Sequence, residues 1–352
     1  MKKIIFIFLG AVFSVCLLLA ISKTQDGALV TPQGQGMVTL DSGTFEAFPL
    51  PDYAAKFITG DYKSYLVEVE PGIKIHVLEV GTGYPLFLQH GNPTSGFLYR
   101  KVAAQLPTDR VRVIMPTLAG LGFSSKIPAS QHTLSNHVRW INQVLLQLKL
   151  KGVVYAGQDW GGPIGMGALA KSPDLLKGMV AMNTLFNAPK EAVNLSVPHM
   201  LVKSPLLGEF LMEVMVSVFD RLPSMQGDPS SISTELAQLY GKPLMDSGNE
   251  KATLAMMRMV ADGPDHPSTP ELREIEKYAL ALDIPLELVW GLNDPILGKG
   301  LAIMKQNFPN AAVTETQAGH FLQEEVPTEI AAALMRIVGQ VQHTKVAQAL
   351  LD

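Results

Sequence analysis

The stretch Val153-Val154-Tyr155-Ala156-Gly157-Gln158-Asp159-Trp160-Gly161-Gly162-Pro163-Ile164-Gly165 constrains this chain most. A short apolar, β-rich run ends at Gly157, and small residues resume beyond Trp160 in a helix-like continuation. Glycines two before and two after position 159 allow a strand to turn sharply into a helix while neighbouring backbones pass closely. Such a turn lifts the Asp159 side chain above the sheet. A serine lifted in this way would attack acyl carbon, where a carboxylate could give only a reactive anhydride. A carboxylate suits alkyl carbon instead: displacing a leaving group from sp3 carbon leaves an aspartyl ester, which water hydrolyses with the help of a base. Dehalogenation and epoxide opening are therefore the candidate reactions.

Periodicity around this turn defines an α/β fold class. Tyr65 to Glu70 and Ile73 to Val77 alternate about Pro71-Gly72 and read as a hairpin. Buried-strand runs follow at Tyr84 to Gln89, Val111 to Pro116, Gly152 to Gln158, Leu176 to Asn183, Pro285 to Gly291 and Ala312 to Thr316. Helical patterns lie between them at Gly96 to Leu106 and Leu134 to Leu150, and Val326 to Val341 closes the fold. Strand and helix alternate, so the central sheet is expected to be mainly parallel and flanked by helices. Residues 187–273 break the alternation with a Leu-, Met- and Pro-rich, strand-poor segment, which reads as an inserted helical cap including helical stretches at Pro205 to Phe219 and Ala252 to Val260. The core is then split into residues 45–186 and 274–342, followed by a tail at 343–352.

Lys2-Lys3 followed by an apolar or small run from Ile4 to Ile21 has the form of an export signal, with Ala20-Ile21-Ser22 as a small-x-small cleavage site. The same run is long enough to span a bilayer if it is not cut, since spanning takes about 17 to 25 residues. Residues 1–22 are thus expected to act as signal peptide or membrane anchor, placing the chain in the periplasm, outside the cell or on the inner membrane. Residues 23–44 carry Gly, Thr, Gln and Pro without apolar period and read as a linker with little order. Cys16 is the only cysteine and lies inside the apolar run, so a processed chain would form neither a disulfide nor a thiolate metal site. With a formal charge of −4 and no basic run beyond the first residues, nothing points to nucleic acid.

Four motifs occur in order: His90-Gly91-Asn92-Pro93-Thr94, Leu98-Tyr99-Arg100-Lys101, Gly157-Gln158-Asp159-Trp160-Gly161-Gly162 and Ala318-Gly319-His320, with Gly263-Pro264-Asp265-His266-Pro267-Ser268 near the end of the insert. With these the chain resembles the haloalkane dehalogenases of the α/β-hydrolase superfamily, from about Phe45 to Val341. The resemblance implies that Asp159 displaces halide from a small haloalkane and that His320 deprotonates the water that hydrolyses the ester, with no cofactor and no metal. A third residue must fix the His320 tautomer. Members of the family differ in where they place that acid. The position after the earlier strand holds Met182-Asn183-Thr184 and no carboxylate, so Asp294, in Trp290-Gly291-Leu292-Asn293-Asp294-Pro295, takes the role.

A departing halide needs hydrogen-bond donors where its charge develops. An indole N–H only donates, and an amide NH2 donates too, which suits Trp160 and Asn92. In the resembling family the second donor is an Asn at the Asn92 position or a Trp in the cap. The tryptophans here are Trp140, Trp160 and Trp290, none of them in the insert, and this selects Asn92. The pair, with an Asp294 acid, resembles the third subgroup of the family, and the backbone N–H groups of Asn92 and Trp160 would form the oxyanion hole. One departure stands out: relatives often read Pro-Asp-Leu where this chain has Pro116-Thr117-Leu118, outside the proposed chemistry.

An epoxide hydrolase would share the Asp nucleophile and His base but needs a proton donor for the epoxide oxygen, normally cap tyrosines. Tyr240 is the only tyrosine between Phe186 and Gly263. A ligand-binding homologue that kept the pocket and lost turnover is the remaining alternative, because fold does not fix function.

Overall fold

A computed structural model describes residues 14–215 and 217–349. Its centre is a ten-stranded sheet in the order β1-β2-β3-β4-β6-β5-β7-β8-β9-β10. The strands are β1 (Met37–Leu40), β2 (Gly43–Ala47), β3 (Lys63–Glu70), β4 (Ile73–Gly81), β5 (Tyr84–Gln89), β6 (Val111–Pro116), β7 (Val153–Gln158), β8 (Leu176–Met182), β9 (Leu286–Gly291) and β10 (Ala312–Thr316). From β6 through β5 to β10 every pairing is parallel, whereas β1 to β4 and the junction of β4 with β6 are antiparallel. The fold is that of an α/β-hydrolase, as expected. All six residues of β7 are buried, which is why its sequence is a continuous apolar run and not an alternating one.

Apart from the N-terminal helix at residues 14–23, the α-helices of seven or more residues are numbered α1 (Leu134–Gln147), α2 (Gly161–Ala170), α3 (Val197–Lys203), α4 (Thr234–Ser247), α5 (Lys251–Arg258), α6 (Thr269–Leu280), α7 (Leu301–Asn307) and α8 (Pro327–Ala349). The Thr133 side chain caps α1 by accepting from Asn136 N–H, which fixes the helix start. Helix α2 follows the Asp159 turn, and its small residues are buried from Gly161 to Leu169. Glycine at 161 is required there: a Cβ would come within 2.1 Å of the Gln89 carbonyl oxygen. Helix α8 runs to Ala349, through the residues expected to be a tail.

Between β8 and β9 the described residues contain helices and no strand. The stretch Pro205 to Phe219 is not one helix, as its apolar content suggested. It breaks into a short turn at Leu207–Glu209, a π-helix at Phe210–Met215 and a 3-10 helix at Val218–Met225. Pro205 and Leu206, at φ +63°, separate this stretch from α3. Helix α6 packs on α2, with Ile275 against the small surface at Gly167.

The expectation of a loose linker at residues 23–44 is corrected. Residues 37–40 form β1, which pairs with β2, and Val30 makes an antiparallel bridge to Lys126. Asn249 Nδ2 donates to Ala28 O at 2.7 Å and Ile127 O at 3.2 Å, and Ser130 N–H donates to Asp26 at 2.6 Å. Extended backbone can satisfy its polar groups against loops distant in sequence, and no apolar period advertises that. Of the N-terminal apolar run, residues 1–13 lie outside the described residues, and residues 14–23 are helical. No helix among the described residues is long and apolar enough to cross a membrane.

Candidate active site

The sheet brings the selected residues together at the carboxyl ends of its parallel strands, where open α/β sheets place their sites. Asn92 follows β5, Asp159 follows β7, Asp294 follows β9 and His320 follows β10. Asp159 occupies the turn between β7 and α2 with φ +51°, a conformation a non-glycine residue holds only when its surroundings enforce it. Enforcement comes from three hydrogen bonds: Asp159 N–H donates to Asn183 O at 3.0 Å, Gly162 N–H to Asp159 O at 3.0 Å, and Thr184 Oγ1 to the same oxygen at 2.8 Å.

The Asp159 carboxylate is 17% exposed and accepts from the backbone N–H of Asn92 at 2.8 Å and from that of Trp160. Glycine at 91 permits this approach, since a Cβ there would lie 2.3 Å from Asp159 Oδ1. Burial raises the Asp159 pKa, and the His320 charge and the two backbone donors offset the rise only in part.

His320 lies between two carboxylates. Its Nδ1 is 2.9 Å from Asp294 Oδ2, and its Nε2 is 3.8 Å from Asp159 Oδ2, beyond direct hydrogen-bond reach. Burial would lower its pKa, but the Asp294 charge and hydrogen bond, with the Asp159 charge, raise it above the ordinary value. Asp294 is fully partnered: Oδ1 accepts from Ile296 N–H at 2.7 Å and Leu297 N–H at 3.1 Å, and Oδ2 accepts from Asn183 Nδ2 at 2.7 Å. Burial works against its charge, yet the His320 charge and these hydrogen bonds hold its pKa below the usual carboxylate range.

Two residues of the site escaped the sequence reading. Asn183, at φ +32°, donates to Asp294 and Gly291 O and accepts from Gly291 N–H. The available signal is its place directly after β8. Gln158, adjacent to Asp159, donates from Nε2 to His320 O at 3.0 Å and holds the histidine loop.

Trp160 is buried, and its indole N–H has no acceptor among the described residues. Asn92 Nδ2 donates to Thr253 O of α5 at 3.1 Å, which leaves one amide hydrogen for another acceptor. His90 supports the turn: its Nδ1 is 2.7 Å from Gly91 O and its Nε2 accepts from Leu118 N–H at 2.9 Å, with burial pushing its pKa down to about 4. Arg100 of the Leu98-Tyr99-Arg100-Lys101 motif makes a buried ion pair with Glu324. Tyr240 is fully buried, and its hydroxyl donates to Glu324 Oε1 at 3.3 Å. No group of three or more potential ligands able to hold a metal occurs among the described residues.

Residues 84–215 match the family model described as alpha/beta hydrolase fold. The chain is 28% identical over 271 residues to "Haloalkane dehalogenase 2" of Mycobacterium tuberculosis, covering 76% of this chain and 92% of the relative. It is 29% identical over 270 residues to "Cis-3-alkyl-4-alkyloxetan-2-one decarboxylase" of Shewanella oneidensis, covering 74% and 83%. The haloalkane dehalogenase DatA of Agrobacterium tumefaciens C58 superposes with a TM-score of 0.70 at 28% identity, over 82% of this chain and all of that one.

Proposed function

On the premise that this chain is an α/β-hydrolase similar to haloalkane dehalogenases, we propose that it hydrolyses carbon–halogen bonds in haloalkanes, giving alcohol, halide and a proton. The observation that carries the reading is the contact set of Asp159: Oδ1 faces the Asn92 N–H while Oδ2 faces His320 Nε2. Oδ2 attacks the halogenated carbon from the side opposite the halide, and the carbon–halogen electron pair leaves with the halide. Trp160 Nε1–H and the Asn92 amide donate to the departing anion. Oδ1 becomes the ester carbonyl oxygen and remains on the backbone donors. Water then attacks Cγ, His320 Nε2 takes its proton, and the backbone N–H groups of Asn92 and Trp160 stabilise the oxyanion. Asp294 stabilises the imidazolium that results.

Esterification also prepares the base. The Asp159 charge is one of the influences that raise the His320 pKa, and forming the ester removes it. The histidine therefore releases its proton more readily after the first step than before it. This ordering follows from electrostatics alone.

Residues 187–273 act as the cap over this site, with Thr253 O of α5 holding the Asn92 amide. The N-terminal run directs export, and the chain works outside the cytoplasm or on the membrane surface. The decisive assay is halide release from 1-bromobutane and 1,2-dibromoethane, with styrene oxide hydrolysis measured beside it. Halide release that vanishes in Asp159→Ala supports the reading. Diol without halide would favour an epoxide hydrolase, against which the Tyr240 proton directed at Glu324 already speaks. Ligand binding without either product would favour a non-catalytic homologue.

A second reading draws on the Asn92 amide, half engaged by Thr253 O, together with the oxetanone decarboxylase at 29% identity. Alkene and carbon dioxide from a cis-3,4-dialkyloxetan-2-one, with no halide from bromoalkanes, would decide for it.

A further inference from the structure

Helix α3 carries an exposed apolar face in addition to the apolar contact it buries. Val202 points inward and packs with Met212 and Leu254, and the His199 ring is 3.0 Å from Met257 O of α5. The outward positions are apolar: Val197 is 62% exposed, Met200 49% and Leu201 41%, at spacings i, i+3 and i+4 that form one stripe. Leu206 and Leu207 extend the stripe along the chain, and Met215 follows at the end of the π-helix.

The N-terminal helix reaches the same region. Lys251 Nζ donates to the Lys23 carbonyl oxygen at the end of that helix and pairs with Glu213 at 2.9 Å, two residues from Met215. Residues 14–23 expose Val15, Leu17, Leu18, Leu19 and Ile21, and the sequence upstream remains apolar back to Ile4. Helix α5 thus carries the N-terminal helix at Lys251 and α3 at Met257, six residues or about 9 Å apart. Exposed apolar residues clustered on elements that one helix holds together mark a contact with protein or lipid.

We infer that the outer face of α3, continued through Leu206, Leu207 and Met215 and by the N-terminal helix, seats in the interfacial layer of a lipid bilayer. The occupant is lipid because the exposed apolar helix at residues 14–23 meets the edge of this face and the sequence before it stays apolar back to Ile4, and an apolar helical stripe is what buries at the headgroup boundary. Seated so, the helical insert lies between the bilayer and Asp159: α5 bonds both α3 and Asn92. Apolar substrate dissolved in lipid is then concentrated at the layer covering the nucleophile. The docking face rests on retention of the N-terminal run and is independent of which reaction Asp159 performs.

The test is environment-sensitive fluorescence on the full chain. Leu201→Cys in a Cys16→Ser background, labelled with a nitrobenzoxadiazole probe, is mixed with phosphatidylcholine–phosphatidylglycerol vesicles, and the same label at Leu146→Cys on α1 serves as control. The expected result is a shift to shorter wavelength and quenching by doxyl-labelled lipid at position 201, with neither at 146. A label at 201 that stays water-like while the protein co-floats with vesicles would overturn the inference, since the N-terminal run alone would then hold the protein. A shift at 201 without vesicles, together with a dimeric mass, would overturn it in favour of a second copy covering the face. Because this readout needs no turnover, its failure is separable from failure of the catalytic reading.

Discussion

Asn183 Nδ2 donates to Asp294 Oδ2 at 2.7 Å, and that same oxygen meets His320 Nδ1 at 2.9 Å. The Asp–His pair of this site therefore has a third, neutral member, fixed by a reciprocal pair of bonds to Gly291. Asn183→Asp keeps a residue that tolerates a positive φ but sets a second carboxylate against Asp294. Added negative charge raises the His320 pKa further, so the pH at which ester hydrolysis becomes half-maximal should move upward. The pH profile of ester decay after a single alkylation reads this directly, and a profile unchanged from wild type would contradict it.

The two steps should separate with pH. On the proposed mechanism alkylation needs ionised Asp159 and is lost as pH falls through its raised pKa; hydrolysis needs neutral His320 and is lost as pH falls through the His320 pKa of the ester, which the Asp294 charge and hydrogen bond still raise while the Asp159 contribution is gone. Between these limits the enzyme should release one equivalent of halide per site in a burst and accumulate the ester, with alcohol appearing only on raising the pH. Rapid-quench halide and alcohol measurements check the stoichiometry.

Gly91→Ala should abolish turnover while the fold survives, because its Cβ would sit 2.3 Å from Asp159 Oδ1 and drive the carboxylate off its backbone donors. Circular dichroism with a halide assay distinguishes a displaced nucleophile from an unfolded chain.

Trp160→Phe removes the indole donor while keeping an apolar wall. Loss of one donor to a developing anion costs about 2.7 to 4 kcal/mol, or about 100- to 1,000-fold in the alkylation rate. Asn92→Ala should cost less, because its amide already shares one hydrogen with Thr253 O. Stopped-flow alkylation rates of the two variants give the order.

Glu324→Ala strands the buried Arg100 guanidinium and leaves the Tyr240 hydroxyl without its acceptor. Breaking a buried pair from one side costs about 3 to 5 kcal/mol, so thermal stability should fall strongly. Bromoalkane turnover per folded molecule should change little.

The sequence disclosed much of this site because its chemistry is punctuated locally. Tyr84–Gln89, Val111–Pro116 and Ala312–Thr316 are strands with the bounds their apolar runs suggested, and Asp159, Asp294 and His320 follow β7, β9 and β10. Asn183 stayed hidden because an amide supporting a carboxylate has no signature beyond its position. The packed course of residues 23–44 stayed hidden for a related reason: it is held by hydrogen bonds to Lys126, Ser130 and Asn249, contacts that leave no period in the chain. The π-helix at Phe210–Met215 has apolar content indistinguishable from that of an α-helix, and only Pro205 hinted at the break.

Multiple turnovers of 1-bromobutane in H2(18)O, followed by mass analysis of the peptide containing Asp159, test the covalent step most directly. Attack of water on Cγ places the heavy oxygen in the Asp159 carboxylate, so that peptide should gain mass while the protein stays active. An unlabelled Asp159 beside labelled 1-butanol would mean that water strikes the alkyl carbon itself, and would contradict the nucleophilic role of Asp159.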